Sequence, residues 1–333
     1  MKSNFFVVEQ LISYQKTFLA YLENLKKDQR SPKELYEPID YILNIGGKRI
    51  RPILALMAAD VFGISVDEAL PAAMAVEIFH NFSLVHDDIM DQAPLRRGEQ
   101  TVHLKWDTNT AILSGDAMLV MAYQQLEAYT PDLFVKMIKV FSKTALQVCE
   151  GQQYDMNFEN DHEVHYEEYL NMITGKTAVL IGAALKMGAI AAKSTDQEAQ
   201  VLYDFGKYLG VAFQIQDDYL DAFGNPEKFG KMVGGDIIAG KKTLLYLKAM
   251  QLGTDAQKQK LQDLYVNNLS IASEDKVAQV KALFKEIKAD KATKSEMEAY
   301  TQKAFACLEQ LRITTEKKKL LTDFGVYLMN RRV

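Results

Sequence analysis

Leu84-Val85-His86-Asp87-Asp88-Ile89-Met90-Asp91 and Phe213-Gln214-Ile215-Gln216-Asp217-Asp218-Tyr219-Leu220-Asp221 repeat one pattern: an apolar helical run ending in three acids within five residues. The first run starts near Ala72 and the second near Val201. Residues four apart share a helix face, so Asp87 aligns with Asp91 and Asp217 with Asp221. One such triplet reads as a solvated, acidic helix end. Two of them, each behind a helix apolar enough to be buried, do not, because buried carboxylates require cations. All donors are oxygen, which favours Mg²⁺, Mn²⁺ or Ca²⁺ over zinc or iron, and the EF-hand spacing with its glycine is absent. Acid triplets that hold Mg²⁺ with open coordination positions imply a substrate bringing oxygens of its own, and a diphosphate fits best.

A diphosphate calls for Lys and Arg as well. Gly46-Gly47-Lys48-Arg49-Ile50-Arg51-Pro52 sits at a turn opening a helix, where backbone N–H groups and the helix dipole favour an anion. Arg96-Arg97-Gly98 follows Asp91 closely, and Gly175-Lys176-Thr177 interrupts a helical pattern. Lys231 and Lys241 lie in a Gly- and Lys-rich segment from Phe223 to Lys242, which reads as a lid or anion cradle. Each cation alone reads as a surface charge. Together they predict two phosphate subsites, one bridged by metal and one held by side chains. Nucleotide motifs fail: Lys242 stands where a P-loop over Gly235–Lys242 needs Ser or Thr, and Leu170 where Gly175-Lys176-Thr177 needs its first glycine. His162 and His165 do not match HExxH, and His103 and Trp106 read as packing residues. His86 reads equally as a core residue, a support for the first triplet or a direct participant.

Elsewhere the chain offers one consistent signal. Of its 333 residues 48% are hydrophobic and 25% charged, the balance of a soluble globular protein. Apolar positions recur at three and four residues, as in Phe18, Leu19, Leu22 and Leu25, and no strictly alternating run is bounded by turn residues. Turn signals at Ser31-Pro32, Gly46-Gly47, Ala93-Pro94, Thr130-Pro131, Ser194-Thr195-Asp196 and Ser270 to Asp275 space out helices of about 12 to 25 residues. The expected fold is all-α, a helical bundle around a central apolar cavity, in a single domain over residues 1–333. A net charge of −5 offers no global field for nucleic acid. Two cysteines, Cys149 and Cys307, exclude a disulfide framework or a Cys-based zinc site and suit a reducing compartment. No secretory signal is read. The longest apolar stretch, Thr177 to Ala192, is broken by Lys186 and falls short of a membrane span, so a cytoplasmic protein with no membrane span is expected.

These motifs together resemble the trans-prenyl diphosphate synthases of the polyprenyl synthetase family, over nearly the whole chain. Asp87-Asp88-Ile89-Met90-Asp91 with Arg96-Arg97-Gly98 matches the family's first aspartate-rich motif; Asp217-Asp218-Tyr219-Leu220-Asp221, with Phe213-Gln214 before and Lys231 after, matches the second. The resemblance implies an isoprenoid synthase-type helical bundle, usually a homodimer, that condenses isopentenyl diphosphate with an allylic diphosphate. Gly47, Lys48, Arg51, His80 and Arg97 would hold isopentenyl diphosphate. Asp87, Asp91 and Asp217 would ligate Mg²⁺ on the allylic diphosphate (three ions, with Mn²⁺ as an alternative). Asp88, Asp218 and Asp221 would orient metals, waters or neighbouring cations. Arg96, Lys176, Thr177, Gln214, Lys231 and Lys241 would complete the allylic subsite. The family's cavity floor falls on Phe82 and Ser83, where one aromatic and no insertion in the motif favour a C20 over a C15 product. A terpene cyclase would usually replace the second acid triplet, and a non-catalytic partner subunit would be expected to lose acids or cations; this chain keeps them all.

Overall fold

Thr195 opens the longest motif-bearing helix. Its Oγ1 accepts from Glu198 N–H at 3.2 Å, and the Glu198 carboxylate accepts from Thr195 N–H at 3.0 Å, a reciprocal cap that starts α10 (Asp196–Phe223). Similar local chemistry sets the other boundaries. The structure is a computed structural model that describes residues 2–25, 30–160, 163–224, 234–266 and 272–330. Before α10 come α1 (Lys2–Leu25), α2 (Lys33–Asn44), α3 (Ile50–Val61), α4 (Leu70–Met90), α5 (Val102–Lys105), α6 (Thr108–Gln125), α7 (Pro131–Asn160), α8 (Tyr166–Ile173) and α9 (Val179–Ala191). After it come α11 (Gly235–Ile238), α12 (Leu244–Leu252), α13 (Asp255–Val266), α14 (Ser273–Ile287), α15 (Ala289–Leu308) and α16 (Thr315–Met329). The fold is all-α, as the periodicity predicts. Among the described residues the strands are limited to β1 (Leu95–Arg96) and β2 (Glu99–Gln100), an antiparallel pair in which Arg96 faces Glu99.

The chain forms two compact units. One comprises Met1–Leu146, Leu180–Tyr203 and Gln310–Asp323; the other comprises Gln147–Val179, Asp204–Glu309 and Phe324–Val333. In the first, α4 packs most extensively on α6, where Gly115 leaves room for the ring of His86. A Cβ there would lie 2.3 Å from His86 Nε2, and that nitrogen instead donates to the Ile112 carbonyl at 3.2 Å. Phe79, Met118 and Phe141 lie in this unit's buried core. In the second, Tyr169, Ile215, Leu244 and Phe284 belong to one buried cluster.

Two details differ from the sequence reading. Gly175-Lys176-Thr177 does not break its helix; Thr174–Ala178 forms a π-helical turn that joins α8 to α9. The resulting helical run, Tyr166–Ala191, is therefore longer than the Thr177–Ala192 stretch read as too short for a span, and it is long and apolar enough to cross a membrane. Buried protein surroundings account for its apolarity, since 78% of its most apolar window is inside the fold.

Candidate active site

In the first unit the turn before α3 is built on backbone that only glycine adopts freely. Gly46 and Gly47 have φ of +88° and +124°. In the first turn of α3, Arg51 places Nη1 3.1 Å from His80 Nε2 on α4. A guanidinium only donates, so Nε2 accepts and the imidazole proton sits on Nδ1. Burial first, then the charges of Arg51, Arg97, Arg96 and Arg49, hold His80 well below its usual range, and it is neutral at neutral pH. Burial also lowers Arg51 to about 10, with Arg97 adding to the fall and Glu77 opposing it.

The hairpin decides where Arg96 and Arg97 go. Arg97 and Gly98 are its two-residue loop, at φ of +55° and +86°, which is the geometry of a type I′ turn. Arg97 turns back to the glycines: Nη1 donates to the Gly46 carbonyl, and a Cβ on Gly47 would sit 2.8 Å from its guanidinium carbon. Arg96 takes another direction, its Nε reaching both carboxylate oxygens of Asp88 at 3.0 and 3.2 Å. Asp88 is only 1% exposed, so Arg96 neutralises the buried member of the first triplet. Asp87 is half-buried and Asp91 exposed. Arg51 and Arg97 thus repel one another at the Gly46–Arg51 turn, beside a neutral His80, and that gathering of positive charge favours an anion.

The second unit holds the other triplet in a relay. Thr177 Oγ1 donates to Gln214 Oε1 at 3.1 Å, and Gln214 Nε2 donates to Asp218 at 2.9 Å. The Tyr169 hydroxyl donates to the other Asp218 oxygen at 2.6 Å. Burial, then Asp236, with Asp217 adding, push Asp218 up to about 7 against these two hydrogen bonds. Asp221 accepts from Asp236 N–H at 2.9 Å, and Lys241, exposed, stands 3.9 Å from Asp236 Oδ1. Lys176 Nζ pairs with Asp155 at 2.5 Å. Lys231 lies outside the described residues.

The donor chemistry suits Mg²⁺. Carboxylates crowd one another around Asp218 with no cysteine or histidine among them, and crowded negative charge is what a hard divalent cation relieves. Among the described residues, no three acid, His or Cys side chains converge closely enough to hold an ion alone. Such an ion would share its coordination with oxygens supplied by substrate.

A family model described as polyprenyl synthetase matches residues 32–287. The chain belongs to the polyprenyl synthetase family. The geranylgeranyl diphosphate synthase of Methanosarcina mazei is 42% identical over 67% of this chain and 69% of its own. The geranylfarnesyl diphosphate synthase of Natronomonas pharaonis is 37% identical over 75% and 79%. A crystal structure of a geranylgeranyl pyrophosphate synthase superposes with a TM-score of 0.92 at 50% identity, covering 97% of this chain and 99% of that one. The all-α expectation is thus met by the isoprenoid synthase fold.

Several residues of this polyprenyl synthetase were not found from sequence. Asp155, Tyr169 and Asp236 carry no local pattern that sets them apart from ordinary helix and loop residues. Gly151 is a further case. It sits inside α7, where a Cβ would lie 2.1 Å from Lys176 N and 2.6 Å from the Gly175 carbonyl carbon. That contact seats the π-helical turn and with it Lys176. In an ordinary helix Gly→Ala stabilises by about 1 kcal/mol. Gly151→Ala is expected to do the reverse, costing roughly 1–3 kcal/mol because backbone must move, as in overpacked cores. A higher melting temperature for the variant would refute the contact.

Proposed function

We propose that this polyprenyl synthetase condenses isopentenyl diphosphate with an allylic diphosphate, head to tail, and releases a short all-trans prenyl diphosphate and diphosphate. The observation that carries this reading is the turn at Gly46–Arg51. Arginines gather around it, His80 is kept neutral beside them, and Arg97 is bent back onto it. Gly47, Lys48, Arg51, His80 and Arg97 form the subsite for isopentenyl diphosphate, with His80 offering Nδ1–H. Asp87, Asp91 and Asp217 are the proposed Mg²⁺ ligands on the allylic diphosphate. Asp88 holds Arg96, and Asp218 is held by Tyr169 and Gln214, so these acids orient neighbours. Lys176, Thr177, Lys231 and Lys241, with Arg96 and Gln214, complete the allylic subsite.

Bound Mg²⁺ supplies electrostatic stabilisation of the departing diphosphate, which lets the allylic C–O bond ionise. Lys176, steadied by Asp155, adds positive charge for the same leaving group. The allylic cation is attacked by the isopentenyl double bond, and the resulting cation gives up a proton to the released diphosphate, which completes the new unit. A homodimer in the cytoplasm is the proposed working form. Ile112, Leu113 and Val120 of α6 and Val135 and Leu146 of α7 support it, being apolar yet 42–62% exposed. Purified protein incubated with Mg²⁺, isopentenyl diphosphate and each allylic primer tests the activity. Unchanged substrates would favour a partner subunit, and cyclic hydrocarbons a cyclase.

The divergence of Arg96 and Arg97 gives a second test. Arg97→Ala removes a guanidinium from the glycine turn and leaves the Arg96–Asp88 pair intact. Losing one hydrogen bond to a charged group costs about 1.5–3 kcal/mol, or roughly 10- to 100-fold in KM for isopentenyl diphosphate. The KM for the allylic primer should change little. The opposite order would exchange the roles of Arg96 and Arg97.

A further inference from the structure

Arg49 lies between two proposed diphosphate ligands, Lys48 and Arg51, yet its own guanidinium is buried in an ion pair with Glu77. Its side chain and that of Glu77 are each 2% exposed, and Nη1 donates to Glu77 Oε1. Nη2 donates to the Leu43 carbonyl in the last turn of α2. Glu77 accepts a second hydrogen bond, from Asn81 Nδ2 at 3.2 Å, and Asn81 is itself wholly buried one turn along α4. The same Asn81 nitrogen also reaches the Glu77 carbonyl at 2.8 Å. Arg49 stands at the N-cap position of α3, where its side chain makes no capping bond, and its backbone is left-handed at φ +50°. One guanidinium therefore ties the end of α2, the start of α3 and the middle of α4.

A buried ion pair is a poor way to gain stability, since an apolar pair of similar volume often does as well. A left-handed arginine is likewise held in place only by its surroundings. Both features sit under the turn that carries Lys48 and Arg51, and His80 is the neighbour of Asn81. We propose that Arg49 is a positioning residue for the isopentenyl diphosphate subsite: the Arg49–Glu77–Asn81 clamp fixes the Gly46–Pro52 turn so that Lys48, Arg51 and His80 meet the anion together. This rests on the function proposed above. The Glu77 carboxylate also supports the charge of Arg51 and Arg97, whose proton affinity it raises against their mutual repulsion.

The double variant Arg49→Met/Glu77→Leu separates positioning from stability, because it replaces the pair without leaving a charge buried. The expected result is a melting temperature near that of the wild type, an unchanged KM for the allylic primer, and a KM for isopentenyl diphosphate raised at least tenfold. Calorimetric titration with inorganic pyrophosphate in the absence of metal should show the same tenfold loss. A folded double variant with wild-type values in both measurements overturns the proposal. Should that variant not fold, Arg49→Lys replaces it. Lysine keeps the charge beside Glu77 but lacks the fork that also reaches Leu43, so the same selective rise is expected. No rise, or an equal rise for both substrates, overturns the proposal. A wild-type protein that consumes no isopentenyl diphosphate refutes the function instead, and pyrophosphate binding still decides the role of Arg49.

Discussion

Asp87→Ala and Asp217→Ala should each lower kcat by at least ~10²–10³-fold, the scale set by removing one preorganised electrostatic group. Each variant takes away a proposed ligand of the ions that offset charge on the leaving diphosphate. Neither should unfold the chain, since both side chains are only half-buried and no core volume is lost. Asp88→Ala makes the contrast. Its carboxylate is buried and held by Arg96, so that variant leaves an arginine without its partner and is expected to lose stability as well as rate. Circular dichroism, melting and steady-state kinetics at several Mg²⁺ concentrations distinguish the cases. Near-normal turnover in Asp87→Ala or Asp217→Ala would sink the metal assignment at that triplet.

How much of this was readable in advance follows from which forces act locally. The helix ends at Asp87–Asp91 and Asp217–Asp221 were legible because acids at i and i+4 behind an apolar run leave few alternatives. The turn at Gly46-Gly47 was legible because paired glycines punctuate helical patterns, and their positive φ values show why glycine is needed there. Arg49 was not: by composition it belongs with Lys48 and Arg51, and only the tertiary placement of Glu77 and Asn81 on α4 draws it inward. The split between Arg96 and Arg97 was hidden for a similar reason. It depends on a two-residue hairpin too short to show alternation, with an arginine at a positive φ that glycine usually occupies. The π-helical turn at Thr174–Ala178 appeared in the sequence as an interruption. Its cause, the approach to Gly151, lies on a different helix. Asp155, Tyr169 and Asp236 act through partners distant in sequence, and single-residue patterns carry no record of such pairs. What the sequence states well is which groups bear charge; what it leaves out is which of those charges turn inward.

Phe82→Ala should change both the product and the stability of the enzyme, by different amounts if Phe82 blocks the growing tail. Phe82 is 8% exposed and stands in a file of rings: its centroid is 4.7 Å from His86 and 5.5 Å from Phe79. Phe79 in turn meets Phe141 at 5.4 Å, and Phe141 meets Tyr123 at 4.9 Å. His86 is fixed by its bond to the Ile112 carbonyl, so the ring of Phe82 is held between Phe79 one turn before it on α4 and His86 one turn after. Ser83, the other proposed floor position, donates to the His80 carbonyl within the helix and offers no bulk. Removing a packed ring costs about 3–5 kcal/mol in a core, and that loss is expected whether Phe82 is mere packing or a floor. Product length separates the two. A wild type making C20 ahead of C15 is the expected starting point, and the variant should add one or more isoprene units, since the space vacated by the ring lies where the tail would end. Phe82→Leu, which keeps most of the packing, should shift the distribution less and melt closer to wild type. Chromatography of dephosphorylated products reads both variants. Destabilisation with an unchanged length distribution would leave Phe82 a core residue and move the proposed floor to Phe79 on α4 or to Met118 or Met121 on α6.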